Sequence, residues 1–283
     1  MSGWHHGGMP SGRSPVGQVT RGTTGTNRLR RVDRWIARHP VLRRTTDPLV
    51  VDLGYGASGV TALELHARLA RARPDVEVLG LEIDPARVAR ATAQLREVRA
   101  GGTAFAPEAH VSFALGGFEV PVAQGRRPAV IRAMNVLRQY DESDVAAAWR
   151  RMAARLAMGG LLVEGTCDEL GRITTWIAVD AEAVPRSLTL SLRLTGLERP
   201  SVAAERLPKA LIHRNVPGEP VHAFLQALDA EWERASAVSP FGPVHRWQTA
   251  LSALQASGWP LVARSRWRLG EVTVPWEAVA PAS

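Results

Sequence analysis

The sequence predicts an α/β fold: a doubly wound, mostly parallel sheet with helices on both faces, followed by a C-terminal α+β addition. Three observations predict it. Between residues 48 and 167, short apolar runs alternate with segments of helical periodicity. The first run, PLVVDLG, passes into a glycine-rich turn and then directly into a helix. After Cys167 the alternation stops, and two adjacent strand-like runs are followed by a series of helical segments. Strand and helix in alternation imply parallel strands with crossover helices, and ligands of such sheets bind beyond the carboxyl ends of the strands.

Residues 1–26 are rich in Gly, Ser and Thr and read as a disordered N-terminal tail. Residues 27–47 form a basic approach segment, with a short helix over 27–39 whose narrow apolar stripe is Val32, Trp35 and Ile36. The core is expected over 48–180. PLVVDLG is its first strand, and Val60, Leu63, Ala67 and Ala70 mark the inner face of the helix that follows. VEVLGLEI is the second strand. Asp84 then caps a helix with Pro85 at its first position, where a missing N–H costs nothing, and with Val88, Ala91, Leu95 and Val98 facing inward. HVSFAL and PAVIRAMNVL are the third and fourth strands. Asp141 or Ser143 caps a helix bearing Val145, Trp149, Met152 and Leu156, Gly159-Gly160 ends it, and GLLVEGTC is the fifth strand. Residues 181–283 make an addition that packs on or completes this core. RITTWIAV and SLTLSLRL read as strands joined by a connection containing Pro185. Helical segments lie near 200–212, 219–236 and 243–257, and a last hairpin around Gly270 pairs LVARSRWRL with EVTVPWEAV.

Composition narrows the function. One cysteine, Cys167, excludes a disulfide framework and a Cys-rich zinc site, and the eight histidines show no metal-ligand spacing, so no metal is expected. There is no long uncharged run and no apolar signal-like stretch at the N-terminus, which points to a soluble, cytoplasmic protein without a membrane partner. The net charge of +8 suggests nucleic acid, yet of the 35 basic residues only Lys209 is lysine, a replacement that looks like GC-rich coding. The charge is uneven all the same: residues 28–44 hold seven arginines and one acid, either a solvated face or an approach surface for RNA.

Gly54, Gly56 and Gly59 follow a strand and open a helix, with Glu82 23 residues beyond Gly59. Taken literally this is a dinucleotide-binding fingerprint, which would make the chain a nicotinamide- or flavin-dependent oxidoreductase. Asp52 opposes that reading. It stands two residues before the first glycine, where a pyrophosphate would lie over the helix N-terminus. Two like charges ~4 Å apart repel by roughly 4 kcal/mol at an effective dielectric near 20. A ligand with an ammonium group and no phosphate suits the position, and an acid at the end of the second strand suits ribose hydroxyls.

VVDLGYGASG, with Asp52, Gly54 and Gly56, resembles motif I of the class I S-adenosylmethionine-dependent methyltransferases, whose fold is Rossmann-like. LGLEIDPARV is similar to their second motif, and FALGGFEVPV to the segment after their third strand. VIRAMNVLRQYD with LAMGGLLVEGT resembles their fourth-strand motif and the Gly-Gly entry to the fifth strand. The resemblance covers roughly residues 48–167 and departs from the family at Ser58, where motif I usually has glycine. It implies S-adenosyl-L-methionine as cofactor, Glu82 on the ribose hydroxyls and Ile83 beside the adenine. Gly117 stands where the family often has an aspartate near the adenine amine, and Phe118 would stack on or shield the ring instead. Asn135 is either a cofactor or substrate contact or a turn-capping residue. Tyr55 is either a lid or a residue the turn tolerates. The expected cofactor residues are therefore Asp52, Gly54, Tyr55, Gly56, Glu82, Ile83, Gly117, Phe118 and Asn135. No spacing singles out a catalytic base among Arg138, Tyr140, Glu164 and Asp168. The acceptor is a small molecule or RNA, and a non-catalytic protein that retains the cofactor pocket is the remaining alternative.

Overall fold

The computed structural model describes residues 14–282. The first thirteen residues of the segment expected to be disordered lie outside the described residues; the rest of that segment is described with the site.

The chain begins with two short helices, α1 (Arg30–Ile36) and α2 (Pro40–Arg44). Alternation follows: β1 (Leu49–Leu53), α3 (Val60–Leu69), β2 (Glu77–Glu82), α4 (Pro85–Arg99), β3 (Val111–Leu115), β4 (Val130–Met134), α5 (Glu142–Ala153) and β5 (Leu161–Cys167). The local chemistry is only partly as expected: in α3 Leu63 is buried, but Ala67 is exposed and the buried face runs through Ala62, Leu65 and Leu69 instead. Asp84 accepts hydrogen bonds from the amides of Ala86 and Arg87 at the start of α4, ahead of Pro85. Asp141 occupies the cap position ahead of α5, but its side chain makes no capping bond, so the expected cap is not formed by that carboxylate.

β1 to β5 are mutually parallel in the order β3-β2-β1-β4-β5. Successive connections run one way from β1 and the other way from β4, so β1 and β4 flank the topological switch point where ligands of such sheets collect. The helices divide accordingly. α1, α2, α3 and α4 bury Ile36, Leu42, Leu65 and Leu95 in one apolar layer, and α5 buries Val145, Trp149 and Met152 in the layer on the opposite face. This is the doubly wound, Rossmann-like arrangement.

The C-terminal part extends the same sheet. β6 (Ile173–Asp180), β7 (Pro185–Leu192) and β8 (Glu271–Pro275) add in antiparallel fashion, giving the eight-stranded order β3-β2-β1-β4-β5-β6-β7-β8. α6 (Lys209–Ile212), α7 (Pro220–Arg234) and α8 (Pro243–Ala256) follow a 3-10 turn over Pro200–Arg206, and they seat Leu211, Phe224, Trp232, Trp247 and Leu251 in the layer shared with α5. Pro185 is the first residue of β7 rather than part of the connection, a place where its missing N–H does not interrupt the ladder. The expected last hairpin is half right. EVTVP is β8, but Arg264–Leu269 is a 3-10 turn, and only Val262 bridges to Thr273. Residues 261–269 do alternate, but Ala263 and Gly270 take left-handed φ of 54° and 77°, which bound the turn and interrupt the extended run a hairpin would need.

Candidate functional site

At the switch point, Gly54 and Gly56 adopt positive φ of 69° and 86°, a backbone that glycine enters without a Cβ penalty. The Gly54 amide donates to the Leu81 carbonyl at 2.7 Å, which fastens the turn to the end of β2. A Cβ at Gly54 would stand 2.6 Å from Val136, so the residue is required for packing as well as for conformation.

Asp52 is 2% exposed and fully engaged. Its carboxylate accepts from Arg132 Nε at 3.0 Å, lies 2.6 Å from Arg132 Nη2 and accepts from Thr61 Oγ1 at 3.0 Å. Arg132 is itself completely buried on β4, opposite Asp52 in register, and its other nitrogen pairs with Asp33 of α1. Burial alone would weaken the proton affinity of that guanidinium, but the charges of Asp33 and Asp52 raise it well above the ordinary arginine value. Burial pushes the Asp33 carboxyl up, against the pull of Arg132 and Arg68. The expectation that Asp52 meets a ligand as a bare carboxylate is therefore corrected: a charge at 2% exposure needs a partner, and Arg132 supplies it.

Glu82, equally buried, turns toward the glycine loop. One oxygen accepts from the Gly56 amide at 2.9 Å and the other from Ile83 at 3.0 Å, with Arg87 3.6 Å away. The amides that open α3 are occupied too: Ala57 donates to the Gly22 carbonyl at 2.9 Å and Gly59 to Gln94 at 2.9 Å. Asn135, at φ 61°, ties the ends of β4 and β5 together. Its oxygen accepts from the Cys167 amide at 2.9 Å and its amide nitrogen reaches Cys167 Sγ at 3.2 Å. Tyr55 is folded inward, edge-on to Phe113 with ring centroids 5.1 Å apart, and its hydroxyl is buried without a hydrogen-bond partner among the described residues. Burial, followed by the nearby charges of Glu82 and Asp52, raises its pKa. Tyr55 is a wall of the site rather than a lid.

The expected residues converge on two small adjoining cavities. Asp52, Gly54, Tyr55, Gly56 and Asn135 line one of about 50 Å³. Glu82, Ile83, Gly117 and Phe118, again with Gly54, line a second of about 20 Å³. Both are small because residues 14–26, which composition marks as disordered, lie across them as a strap without regular secondary structure. The Val16 carbonyl accepts from the Phe118 amide at 2.8 Å, and the Val16 amide donates to Glu119 at 2.7 Å. The Gln18 amide donates to the Tyr140 hydroxyl, the Thr20 carbonyl accepts from Arg87 at 2.7 Å, and the Arg21 amide donates to Gln139 at 3.1 Å. A Cβ at Gly117 would come within 2.1 Å of the Val16 carbonyl, and one at Gly56 within 2.7 Å of the Gly22 carbonyl.

Sequence reasoning missed the strap, Arg132, Arg87 and Glu119, and it offered Tyr140 only as a candidate base, whereas Tyr140 holds the strap. A signal existed for Arg132, the one charge inside the apolar run PAVIRAMNVL. None existed for the strap, whose contacts are made mostly by its backbone. The arginines of 28–44 separate into classes. Arg28 is buried and donates to the carbonyls of Thr23, Cys167 and Asp168. Arg30 and Arg31 are fixed by carbonyls of the β5–β6 connection at Leu170 and Gly171. Arg34 and Arg38 are exposed and, with Arg30, Arg31 and Arg266, line a groove of about 340 Å³. A cleft of about 520 Å³ lies at the start of β6 and the end of β7 between Arg172, Ile173, Leu192, Arg193 and Arg199. That is the same edge of the sheet as the glycine turn.

No family model and no curated protein matches this chain. Among solved structures, part of it is similar to the magnesium protoporphyrin IX methyltransferase of Synechocystis with S-adenosylhomocysteine bound, at 18% identity over 48% of this chain and 53% of that one, with a TM-score of 0.36. It is also similar to an O-methyltransferase family protein of Burkholderia thailandensis, at 18% identity over 49% of this chain and 37% of that one, TM-score 0.35. A third likeness is to mitomycin 7-O-methyltransferase, at 21% identity over 47% of this chain and 34% of that one, TM-score 0.35. The matched part of this chain thus spans between a third and about half of those proteins.

Proposed function

We propose that this protein is an S-adenosylmethionine-dependent methyltransferase. The observation that supports the reading best is the gathering of Gly54, Gly56, Glu82, Ile83, Gly117 and Asn135 around one groove at the β1–β4 switch point. A carboxylate at the end of β2 and an apolar wall at Ile83 and Phe118 fit a nucleoside in kind. The space fits only in part. Ligand pockets of this class need about 300 Å³ or more, far above what is left with residues 14–26 seated.

The hydrogen bonds of the turn weigh against a dinucleotide. A pyrophosphate requires free amides at the opening of α3, whereas those of Gly56 and Gly59 already donate to Glu82 and Gln94 within the core; the Ala57 amide is taken by Gly22 only while residues 14–26 are seated. When bound, the sulfonium cofactor supplies a methyl group open to in-line displacement by the acceptor. The protein's part is to hold the two partners aligned at near-contact distance. Glu82 would take the ribose hydroxyls, Ile83 and Phe118 the faces of the base, and the Asp52–Arg132 pair the floor under the amino-acid end.

The cleft of about 520 Å³ favours a small-molecule acceptor, since it has the volume of a ligand pocket and opens on the same edge. Arg138, just after β4, donates to the Glu205 carbonyl at its rim and links it to the groove. The arginine groove favours the RNA reading. A gel shift with Arg34→Glu and Arg38→Glu separates the two, because RNA retention lost in the variants supports RNA and unchanged retention removes it. No helix among the described residues is long and apolar enough to cross a membrane, and a cytoplasmic location is part of the proposal. A thermal-shift panel with adenosylmethionine, NAD, NADP and FAD tests the cofactor. Stabilisation by adenosylmethionine alone is expected, and stabilisation by a dinucleotide would overturn the reading. Tritiated-methyl transfer to extract treated with RNase or protease then sorts the acceptor and separates an enzyme from a non-catalytic binder.

A further inference from the structure

We infer that residues 14–26 are an autoinhibitory strap whose backbone occupies the cofactor groove and must leave it before a nucleoside cofactor enters. The inference rests on the methyltransferase reading for the identity of the ligand and on the geometry for the strap itself.

The strap is held along its whole length. Glu119, Tyr140 and Gln139 accept from its amides at Val16, Gln18 and Arg21, while the amides of Phe118 and Ala57 and the guanidinium of Arg87 donate to its carbonyls at Val16, Gly22 and Thr20. Gly56 and Gly117 have no side chain at the points where those carbonyls come closest. A glycine cradle suited to close approach of a ligand is therefore filled by peptide. The strap has adapted in turn: Gly17 and Gly22 sit at φ of 139° and 67°, against Tyr140 and the Arg87 guanidinium. Its far end is anchored where Arg28 grips the Thr23 carbonyl and the end of β5. Opening therefore hinges near Gly22 and Thr23, on the groove side of that anchor, and leaves the sheet unchanged. Cofactor affinity is then reduced by the fraction of molecules in which the strap is open.

A strap that competes and a lid that helps to hold the cofactor make opposite predictions. In the full chain, Gly17→Val with Gly22→Val places side chains where the seated strap has no room and alters no wall of the groove. Competition predicts that this double variant binds S-adenosylhomocysteine at least about tenfold more tightly than the parent in calorimetric titration. It also predicts that trypsin cuts after Arg21 faster in the variant, and faster in the parent once S-adenosylhomocysteine is added. Weaker binding by the variant, or protection of Arg21 by the ligand, would overturn the inference. If neither protein binds S-adenosylhomocysteine, the methyltransferase reading fails, and hydrogen exchange still decides the strap: faster exchange of the Ala57 and Phe118 amides in the variant supports a seated strap, and unchanged exchange removes it.

Discussion

At the residue scale, the ionisable groups buried behind the site govern its behaviour more than the exposed ones do. Removing Arg132 strands Asp52, whose other partner is the neutral Thr61 hydroxyl, in an interior where an uncompensated charge costs about 3–5 kcal/mol, while Asp33 keeps Arg68. Arg132→Met should therefore lower the unfolding free energy read from urea melts by that order, and Arg132→Met with Asp52→Asn should recover part of the loss. Glu164 is a different case. It is fully buried on β5 without a hydrogen-bond partner among the described residues, and burial pushes its pKa up to about 8, against a smaller opposing effect of Trp149. The folded chain keeps this proton over a range in which the unfolded chain, titrating near 4.5, has lost it. Stability therefore falls as pH rises from 4.5 to about 8, by as much as roughly 5 kcal/mol. Glu164→Gln should flatten that slope and raise the melting temperature at pH 8. A melting curve unchanged at both pH 5 and pH 8 would contradict this. Glu164 faces the apolar layer under α5, which removes it from the candidates for a catalytic base at the groove.

At the scale of elements, legibility followed how much of an element's identity lies in its own residues. β1 to β5 and the helices between them were readable because each carries its periodicity, its caps or its glycine stop. The turn at Gly54 and Gly56 was readable because only glycine takes that backbone without penalty. The strap was not readable, since Gly, Ser and Thr announce disorder and its order depends on partners such as Glu119 and Tyr140 a hundred or more residues away. β8 was readable as a strand, but its partner was misplaced: β7, distant in sequence, pairs with it in place of the adjacent 264–269 stretch. One cap invites a test. His39 Nδ1 accepts from the Val41 amide at 3.3 Å at the start of α2, and burial lowers the His39 pKa to about 4. The unfolded histidine takes a proton near 6.5, so stability is lost as pH falls from 6.5 toward 4. His39→Asn keeps a capping acceptor and removes the titration, and should abolish this part of the acid sensitivity in melts at pH 5 and pH 7.

At the scale of the molecule, one continuous sheet joins the parallel half, whose carboxyl edge forms the groove, to an antiparallel half whose helices share a core layer with α5. The groove and the 520 Å³ cleft open on the same edge, which is why the antiparallel extension is read as part of the working site. The residues that sequence singled out converge on one groove. Sequence misjudged the electrostatics, because cross-strand register places Arg132 on Asp52 and no spacing along the chain reveals register. In the proposed reading, selectivity for a nucleoside without phosphate comes from the Gly56 and Gly59 amides already bound within the core, and not from a single exposed acid. Calorimetric titration of the full-length protein with S-adenosylhomocysteine and, separately, with NAD tests this most directly. One-site binding of the first and none of the second is predicted; binding of NAD, or heat from neither, would contradict it.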